Sequence, residues 1–307
     1  MNRIDVDSLD LNLLKVFEAL YEEGGAGRAA IRLGLTQSAV SAALARLRIV
    51  YSDHLFERTG RGLRPTRKTE ELRPIIASAL EKCRQSLQLA DPMEGRFYGR
   101  TLTLGLSDDY EIAMGRPIIE LVKHRAEGLR LIFRQTNSSL STEALMSRGI
   151  DLALTSGSVA SRTVGRKVLG TGGYACVMSQ ESSTVPTALS LDDYLQRGHI
   201  LVSSGGFVGV VDEALAAISK TRRVEASTTH FAALPHLLAG SDCVATLPTH
   251  AALALARVSS LVCCECPVHL PAYYAELAWR LDSARDPATS LLKDLVAQAA
   301  GEFLTQD

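Results

Sequence analysis

Nine residues, Leu33-Gly34-Leu35-Thr36-Gln37-Ser38-Ala39-Val40-Ser41, constrain this chain more than any other stretch. A glycine reverses the backbone at the end of one helix, and a threonine two positions later caps the start of the next. Val40, Leu44 and Leu47 then recur at spacings of four and three, which gives the second helix a single buried ridge. The opposite side carries Gln37, Ser38, Ser41, Ala42 and Arg46. Small hydroxyl side chains let a helix approach base edges in a major groove, where glutamine bonds to adenine and arginine grips guanine or phosphate. Taken singly, Ser38 and Ser41 also fit ordinary solvated helix positions.

The flanking residues extend this pattern into a module. Leu11, Leu14, Phe17, Ala19 and Leu20, widened by Leu13 and Val16, predict a first helix with Asp10 as its cap and Gly24-Gly25 as its end. A short second helix fits residues 28–33, and the third runs to about Arg48. Downstream, Leu55 and Phe56 are expected in the core, and the turn Thr59-Gly60-Arg61-Gly62 predicts an antiparallel wing carrying Arg61 and Arg64 toward a backbone or minor groove. The chain's net charge is only -1, yet residues 28–68 hold nine Arg or Lys against two Asp or Glu. A duplex meets that local surplus, because phosphate attraction depends on the charge facing it.

Leu72, Ile75, Ile76, Ala79, Leu80, Cys83 and Leu87 form the stripe of one long helix, disturbed locally by Pro74. With no core of its own, such a stripe is expected to pair with the same helix of a second subunit, and a dimer reads two half-sites. Packing within one chain is the alternative.

A chain of 307 residues, 46% of them apolar, has material for more than one core. Residues 95–99 read as a hinge, after which strand and helix alternate. Strands are predicted at 101–106, 129–133 and 150–154, with helices at 117–122 and 141–148. A second unit begins near Val168, with strands at 174–178, 199–202 and 243–247 and helices at 211–218 and 231–238. Strand 275–279 and helix 288–303 close the chain. Two such α/β units with a cleft between them resemble the periplasmic solute-binding architecture, in which strand-end loops meet a small ligand.

Leu14, Phe17, Ala29, Ala30, Leu33, Leu35, Gln37, Ser38, Ala39, Val40, Ser41, Leu44, Leu47, Leu55, Phe56, Arg58 and Thr66 together resemble the LysR-type transcriptional regulator family. The likeness covers nearly the whole chain. Its later segments, Gly149-Ile150-Asp151-Leu152-Ala153-Leu154 and Ala245-Thr246-Leu247-Pro248, are looser. Many members carry Leu-Glu where this chain has Leu47-Arg48. Together with Leu11-Asn12-Leu13-Leu14 and Gly34-Leu35-Thr36-Gln37, that departure resembles the branch of salicylate- and flavonoid-responsive activators. Ala26-Gly27-Arg28 replaces a usual hydroxyl residue, leaving Arg28 as a charged alternative for phosphate contact.

The resemblance implies an N-terminal winged helix-turn-helix (1–66), a long linker helix for dimerisation (67–94), and a C-terminal α/β regulatory region (95–307) of two periplasmic-binding-protein-like subdomains. The first subdomain would take 95–167 and 271–307, the second 168–270. DNA contacts would come from Arg28, Thr36, Gln37, Ser38, Ser41, Arg46, Arg58, Arg61 and Arg64. An effector, such as an aromatic or other organic carboxylate, would meet Ser107, Asp108, Asn137, Ser138, Thr155, Ser203, Ser204, Gly206, Phe207 and Thr229. Helix capping competes as the role of each Ser or Thr after a strand. The expected partners are a double-stranded operator, a small effector, one or three further copies of the chain, and RNA polymerase. No cofactor is implied.

Other classes have less to stand on. No nucleophile elbow, Walker loop, dinucleotide fingerprint or zinc-hydrolase spacing appears, and Asp108, Asp109 and Glu111 lack an accompanying base in the sequence pattern. A pure solute-binding protein is at odds with the basic first module. Residues 1–10 lack the apolar core of a signal peptide and no apolar run approaches a bilayer span, so a cytoplasmic location is expected. The six cysteines do not form a disulfide framework. Cys263-Cys264-x-Cys266, followed by His269, reads as structural thiols, with metal binding or oxidation as alternatives to be separated by measurement.

Overall fold

A computed structural model describes residues 9–60, 62–90, 96–157, 161–182, 189–203 and 205–305. The chain divides into two compact units, Met1–Glu94 with Met146–Arg148, and Gly95–Leu145 with Gly149–Asp307.

The first unit holds α1 (Asn12–Glu23), α2 (Ala26–Leu33), α3 (Gln37–Tyr51), the ribbon β1 (Phe56–Thr59) and β2 (Gly62–Pro65), and α4 (Arg67–Ala90). This is a winged helix-turn-helix followed by a long helix. Its core joins Leu13, Phe17 and Leu20 of α1, Ala29 and Ala30 of α2, Val40, Leu44 and Leu47 of α3, Phe56, and Ile76 and Leu80 of α4. Gly34 reverses the chain at φ 65°, and Thr36 Oγ1 accepts the Ala39 N–H at 3.2 Å, capping α3. Asp10 accepts the Asn12 N–H at 3.0 Å, so it caps α1 from one residue further out than the assigned boundary.

The wing is held by backbone-directed side chains. Fully buried Leu55 adopts φ 58°, an uncommon conformation for a branched residue, where Asp53 accepts its N–H at 2.6 Å and the Thr66 hydroxyl at 2.9 Å. Arg48 donates to the carbonyls of His54 (2.9 Å) and Phe56 (3.1 Å), fastening the end of α3 to the first wing strand. At the ribbon's other end Leu63 N–H donates to Gly24 O at 2.8 Å. A Cβ on Gly62 would lie 2.4 Å from that oxygen, so only glycine permits the approach.

The second unit continues with β3 (Thr101–Leu106), α5 (Asp108–Arg125), β4 (Arg130–Gln135), α6 (Ser138–Met146), β5 (Leu152–Ser156) and β6 (Val164–Gly172). Then follow β7 (Tyr174–Ser179), α7 (Leu191–Gln196), β8 (Gly198–Val202), α8 (Val210–Ala217), β9 (Arg223–Thr228), α9 (Leu234–Leu238), β10 (Val244–Pro248), α10 (Thr249–Val258) and β11 (Leu261–Glu265). The chain returns through β12 (Tyr273–Arg280) to α11 (Pro287–Ala300). One sheet has the order β4-β3-β5-β12-β6, the other β11-β7-β10-β8-β9. Each mixes parallel βαβ pairing with antiparallel strands next to the two crossings between lobes.

Two elements differ from the sequence reading. Instead of leaving the first lobe near Val168, β6 pairs antiparallel with β12 from Val164 to Gly172, so the crossing falls at Gly173. Likewise α5 starts at Asp108, well before Pro117, which lies inside the helix; Asp108, Asp109 and Glu111 in the first turn suit a helix N-terminus.

The lobes share one buried polar chain. Asp109 on α5 meets His250 Nε2 on α10 at 3.1 Å, and His250 Nδ1 lies 2.8 Å from the Tyr273 hydroxyl at the start of β12. Tyr110 stacks on the imidazole with ring centroids 4.7 Å apart. Apolar packing follows the same route, since Ile112 of α5 enters the second lobe's core and Ala254 of α10 the first's. Removing the acceptor would leave a buried imidazole nitrogen without its partner. Asp109→Ala is therefore expected to cost about 2 kcal/mol and Tyr273→Phe, which removes one bond, about 1 kcal/mol. Urea denaturation measures both; equal, negligible losses would contradict the role assigned to the pair.

A second buried imidazole, His199 on β8, bonds to Tyr194 O at 2.9 Å. Burial, reinforced by the Arg222 guanidinium, holds its pKa down to about 4 from an ordinary 6.5. The unfolded chain thus protonates first on acidification. The associated stability is complete above pH 6.5 and declines as pH falls toward 4, by up to about 3 kcal/mol. Denaturation midpoints at pH 7.5 and 4.5 should show a shallower acid decline for His199→Asn than for the native chain.

Candidate DNA interface and effector cleft

Because Val40 and Leu47 are fully buried, α3 leaves Gln37, Ser38, Ser41, Ala42 and Arg46 in solvent. Thr36 spends its hydroxyl on the cap and on Ser38 Oγ, 3.0 Å away. The Arg46 guanidinium pairs with Asp10 at 3.1 Å while remaining 59% exposed, so it keeps surface on which to meet a second anion. Arg28 turns back onto the end of α1, donating to Glu23 O at 2.6 Å. Arg32 is engaged by Glu22 and Glu23. The basic surplus of the sequence is thus partly consumed within the unit.

On the wing, Arg58 lies opposite Leu63 and Arg64 opposite Glu57, which places the two arginines on opposite faces of the ribbon. Both are exposed and make no ion pair among the described residues. Arg61 lies outside the described residues. Arg48, in the departure from the family's usual Leu-Glu, is a fastening residue; its charge and place in the helix do not announce that role, which depends on carbonyls supplied by the wing.

In the second unit, the expected effector residues sit at the C-terminal strand ends of the two lobes. Ser107 precedes α5 and bonds to the Asp109 carboxylate, connecting it to His250 and Tyr273. The Ser107 hydroxyl therefore addresses a carboxylate, not the imidazole. Asp108 Oδ2 accepts the Ala232 N–H from the opposing lobe at 3.1 Å, whereas its buried Oδ1 has no partner. Asn137 Oδ1 accepts from Ser139 N (3.0 Å) and Leu140 N (3.1 Å), and so caps α6 next to Ser138. Thr155 is buried and donates to Gly157 O at 2.7 Å.

On the other lobe, Ser203 Oγ accepts Gly205 N–H at 3.4 Å, Gly206 follows, and Phe207 and Val208 are strongly exposed at 64% and 71%. Thr229 is exposed after β9. Ser204 lies outside the described residues. A cavity of about 470 Å³ lies elsewhere, at the beginnings of β8 and β9, lined by Asp193, Arg197, Arg223, Glu225 and Asp242 among others.

In the sequence pattern Asp109 has no base to accompany it. That base is His250, 141 positions away on a helix that shows no clear apolar period. Among the described residues no group of three or more His, Cys, Asp or Glu is arranged to hold a metal ion, and no helix is long and apolar enough to cross a membrane.

Comparison with known proteins agrees with both units. Residues 11–70 match the profile described as "Bacterial regulatory helix-turn-helix protein, lysR family", and residues 96–301 match "LysR substrate binding domain". The chain is 31% identical over 295 residues to Nodulation protein D 1 of Bradyrhizobium japonicum, covering 95% of this chain and 91% of that one. It is 29% identical to the HTH-type transcriptional activator NahR of Pseudomonas putida, covering 95% and 98%. The crystal structure of the probable transcriptional regulator PA0477 from Pseudomonas aeruginosa superposes with a TM-score of 0.75 at 31% identity, covering 95% and 97%. With a winged helix-turn-helix in the first unit and a two-lobed effector-binding fold in the second, the chain belongs to the LysR family of bacterial transcriptional regulators.

Proposed function

We propose that this regulator binds its operator as a dimer, or as a tetramer of two dimers, and responds to an aromatic or other organic carboxylate held between the lobes of its second unit. The observation that carries the DNA half of this reading is the unburied polar side of α3. Gln37, Ser38 and Ser41 would read base edges, while Arg46 and the wing arginines Arg58, Arg61 and Arg64 would meet phosphates, with Arg28 and Thr36 at the margins.

Helix α4 supports the dimer. Its Leu72, Ile76 and Leu80 face the unit's core, but Ile75, Ala79, Cys83 and Leu87 recur every four residues on a solvent-facing stripe, with Ile75 66% and Leu87 71% exposed. A second copy of the same helix would cover it.

For the effector, the cleft residues offer hydroxyl and backbone donors together with the exposed Phe207 ring. The buried, unpartnered oxygen of Asp108 favours a ligand that also presents an O–H or N–H donor, since a bare anion beside it would be repelled. A hydroxylated aromatic acid combines these features. It is also consistent with the resemblance to the salicylate- and flavonoid-responsive branch. Binding would change DNA bending or contact with RNA polymerase.

In salt-matched titrations, Gln37→Ala should reduce the preference for operator over random duplex by roughly tenfold. Arg64→Ala should weaken both duplexes alike and lower the salt slope by about one. Identical small effects would remove these roles. Ile75→Glu combined with Leu87→Glu should shift the sedimenting species to monomer without unfolding the first unit. A thermal-shift screen of aromatic and aliphatic carboxylates should yield ligands that raise the second unit's transition and change operator affinity; failure of every compound would count against the sensing half.

A further inference from the structure

Strands β8 and β9 run parallel, and the cavity of about 470 Å³ lies at their beginnings, whereas Ser203 and Thr229 follow their ends. Four residue steps along β8 separate the two places by roughly 13 Å, so one small molecule cannot fill both.

The ladder is irregular beside this cavity. His199 pairs with Val224 and Ile200 with Ala226, which leaves Glu225 as an extra residue on β9, an edge strand of its sheet. Such a bulge bends the strand and re-aims a side chain, and it is rare between parallel strands. Glu225 is turned across Gly198 of β8, where a Cβ would overlap its carboxylate, so any other residue at 198 would displace it. In this position the carboxylate accepts from the Arg223 guanidinium at 2.8 Å and from the Cys243 thiol at 3.4 Å. Burial, reinforced by Glu225, pushes that thiol above its ordinary range and keeps it a donor.

The remaining polar lining is held in place from the other side of β8. Arg197, only 9% exposed, donates to Asp242 O at 3.0 Å and to Ser182 Oγ at 3.3 Å. Ser182 in turn donates to the Asp242 carboxylate at 2.7 Å, and the Ser190 hydroxyl donates to Asp193 at 2.6 Å. Asp193, Glu225 and Asp242 thus face Arg197 and Arg223, one more acid than base. Among the described residues no such acids are arranged to hold a metal ion. The Arg223 and Glu225 side chains are 71% and 43% exposed, and a solvated pair of this kind exchanges partners at little cost.

We propose that this cavity is a second small-molecule site, separate from the cleft, and that it takes a basic amino acid. The ligand's carboxylate would replace Glu225 as the partner of Arg223, while its cationic groups would meet the Glu225, Asp193 and Asp242 carboxylates. One net positive charge balances the excess acid of the lining. An anion of the kind assigned to the cleft would leave that excess uncompensated. The volume lies within the roughly 300–1,000 Å³ range of small-molecule sites. Because β8 and β9 lead from this cavity to Ser203 and Thr229, a ligand here acts on the two strands that carry the second lobe's share of the cleft.

The test is isothermal titration of the full chain with L-arginine and L-lysine, with L-glutamate as the charge-reversed control. Saturable binding of a basic amino acid is expected, and L-glutamate should give none. Glu225→Gln and Arg223→Gln should each weaken binding on the order of tenfold, as loss of a charge-assisted bond does. Gly198→Ala, whose methyl group displaces the Glu225 carboxylate, should weaken it as well. Both glutamine substitutions alter exposed side chains, and an unchanged thermal transition would show that the fold is intact. Hydrogen exchange in the native chain locates the ligand without any substitution: peptides covering 190–198, 223–226 and 240–243 should slow, and those covering 203–208 should not lead. No saturable binding of either basic amino acid, equal or tighter binding of L-glutamate, undiminished binding by both glutamine variants, or protection confined to the cleft would overturn the proposal. The titration contains no operator and no cleft effector, so its outcome is independent of the carboxylate-sensing reading.

Discussion

A helix packed on one side by its own unit has only the other side to offer a partner, and that constraint organises the first unit. Val40, Leu44 and Leu47 must be buried for three short helices to share a core, and their burial turns Gln37, Ser41 and Arg46 outward. The Thr36 cap and the left-handed Gly34 set where α3 begins, while Arg48 and the buried Leu55 set where the wing departs from it. The solvent-facing polar side of α3 is thus produced by what the core excludes.

The second unit applies a different logic. Its two sheets are joined by strands that cross between lobes, and polar groups are buried at the junction because residues from both lobes satisfy one another. Asp108 spends one oxygen on the opposing lobe's backbone, and Asp109 connects the strand-end Ser107 to His250 and Tyr273. A ligand that approaches Ser107 would therefore disturb the same hydrogen-bonded chain that spans the lobes. Such a chain transmits a change only if the lobes have a second arrangement to adopt.

The cysteine run shows how strongly β alternation edits a sequence impression. Cys263 and Cys264 are neighbours in the chain but face different cores, while Cys176, far away in sequence, joins Cys264 and Cys266. The Arg48 substitution shows the same editing in a helix. In sequence it is a charge where a carboxylate is usual; in the fold it closes two carbonyls of the adjoining strand.

What could be read from the chain alone was whatever depends on near neighbours: the turn at Gly34, the ridge of α3, the stripe of α4, the alternation of strand and helix, and a dense family resemblance. These features are local because caps, periodicity and turn chemistry act over a few residues. Helix α10 escaped notice, and the extent of β6 in the first lobe could not be placed, because Thr249–Val258 has no clean apolar period and β6 is defined by its pairing with distant β12. The expected effector residues could be ordered along the chain but not assigned their local duties, such as the capping by Asn137 or the inter-lobe bond of Asp108. Tertiary structure decided these, together with the meeting of Asp109 with His250 and of Cys176 with Cys264, because hydrogen bonds and burial are settled by proximity in space, to which sequence separation is blind.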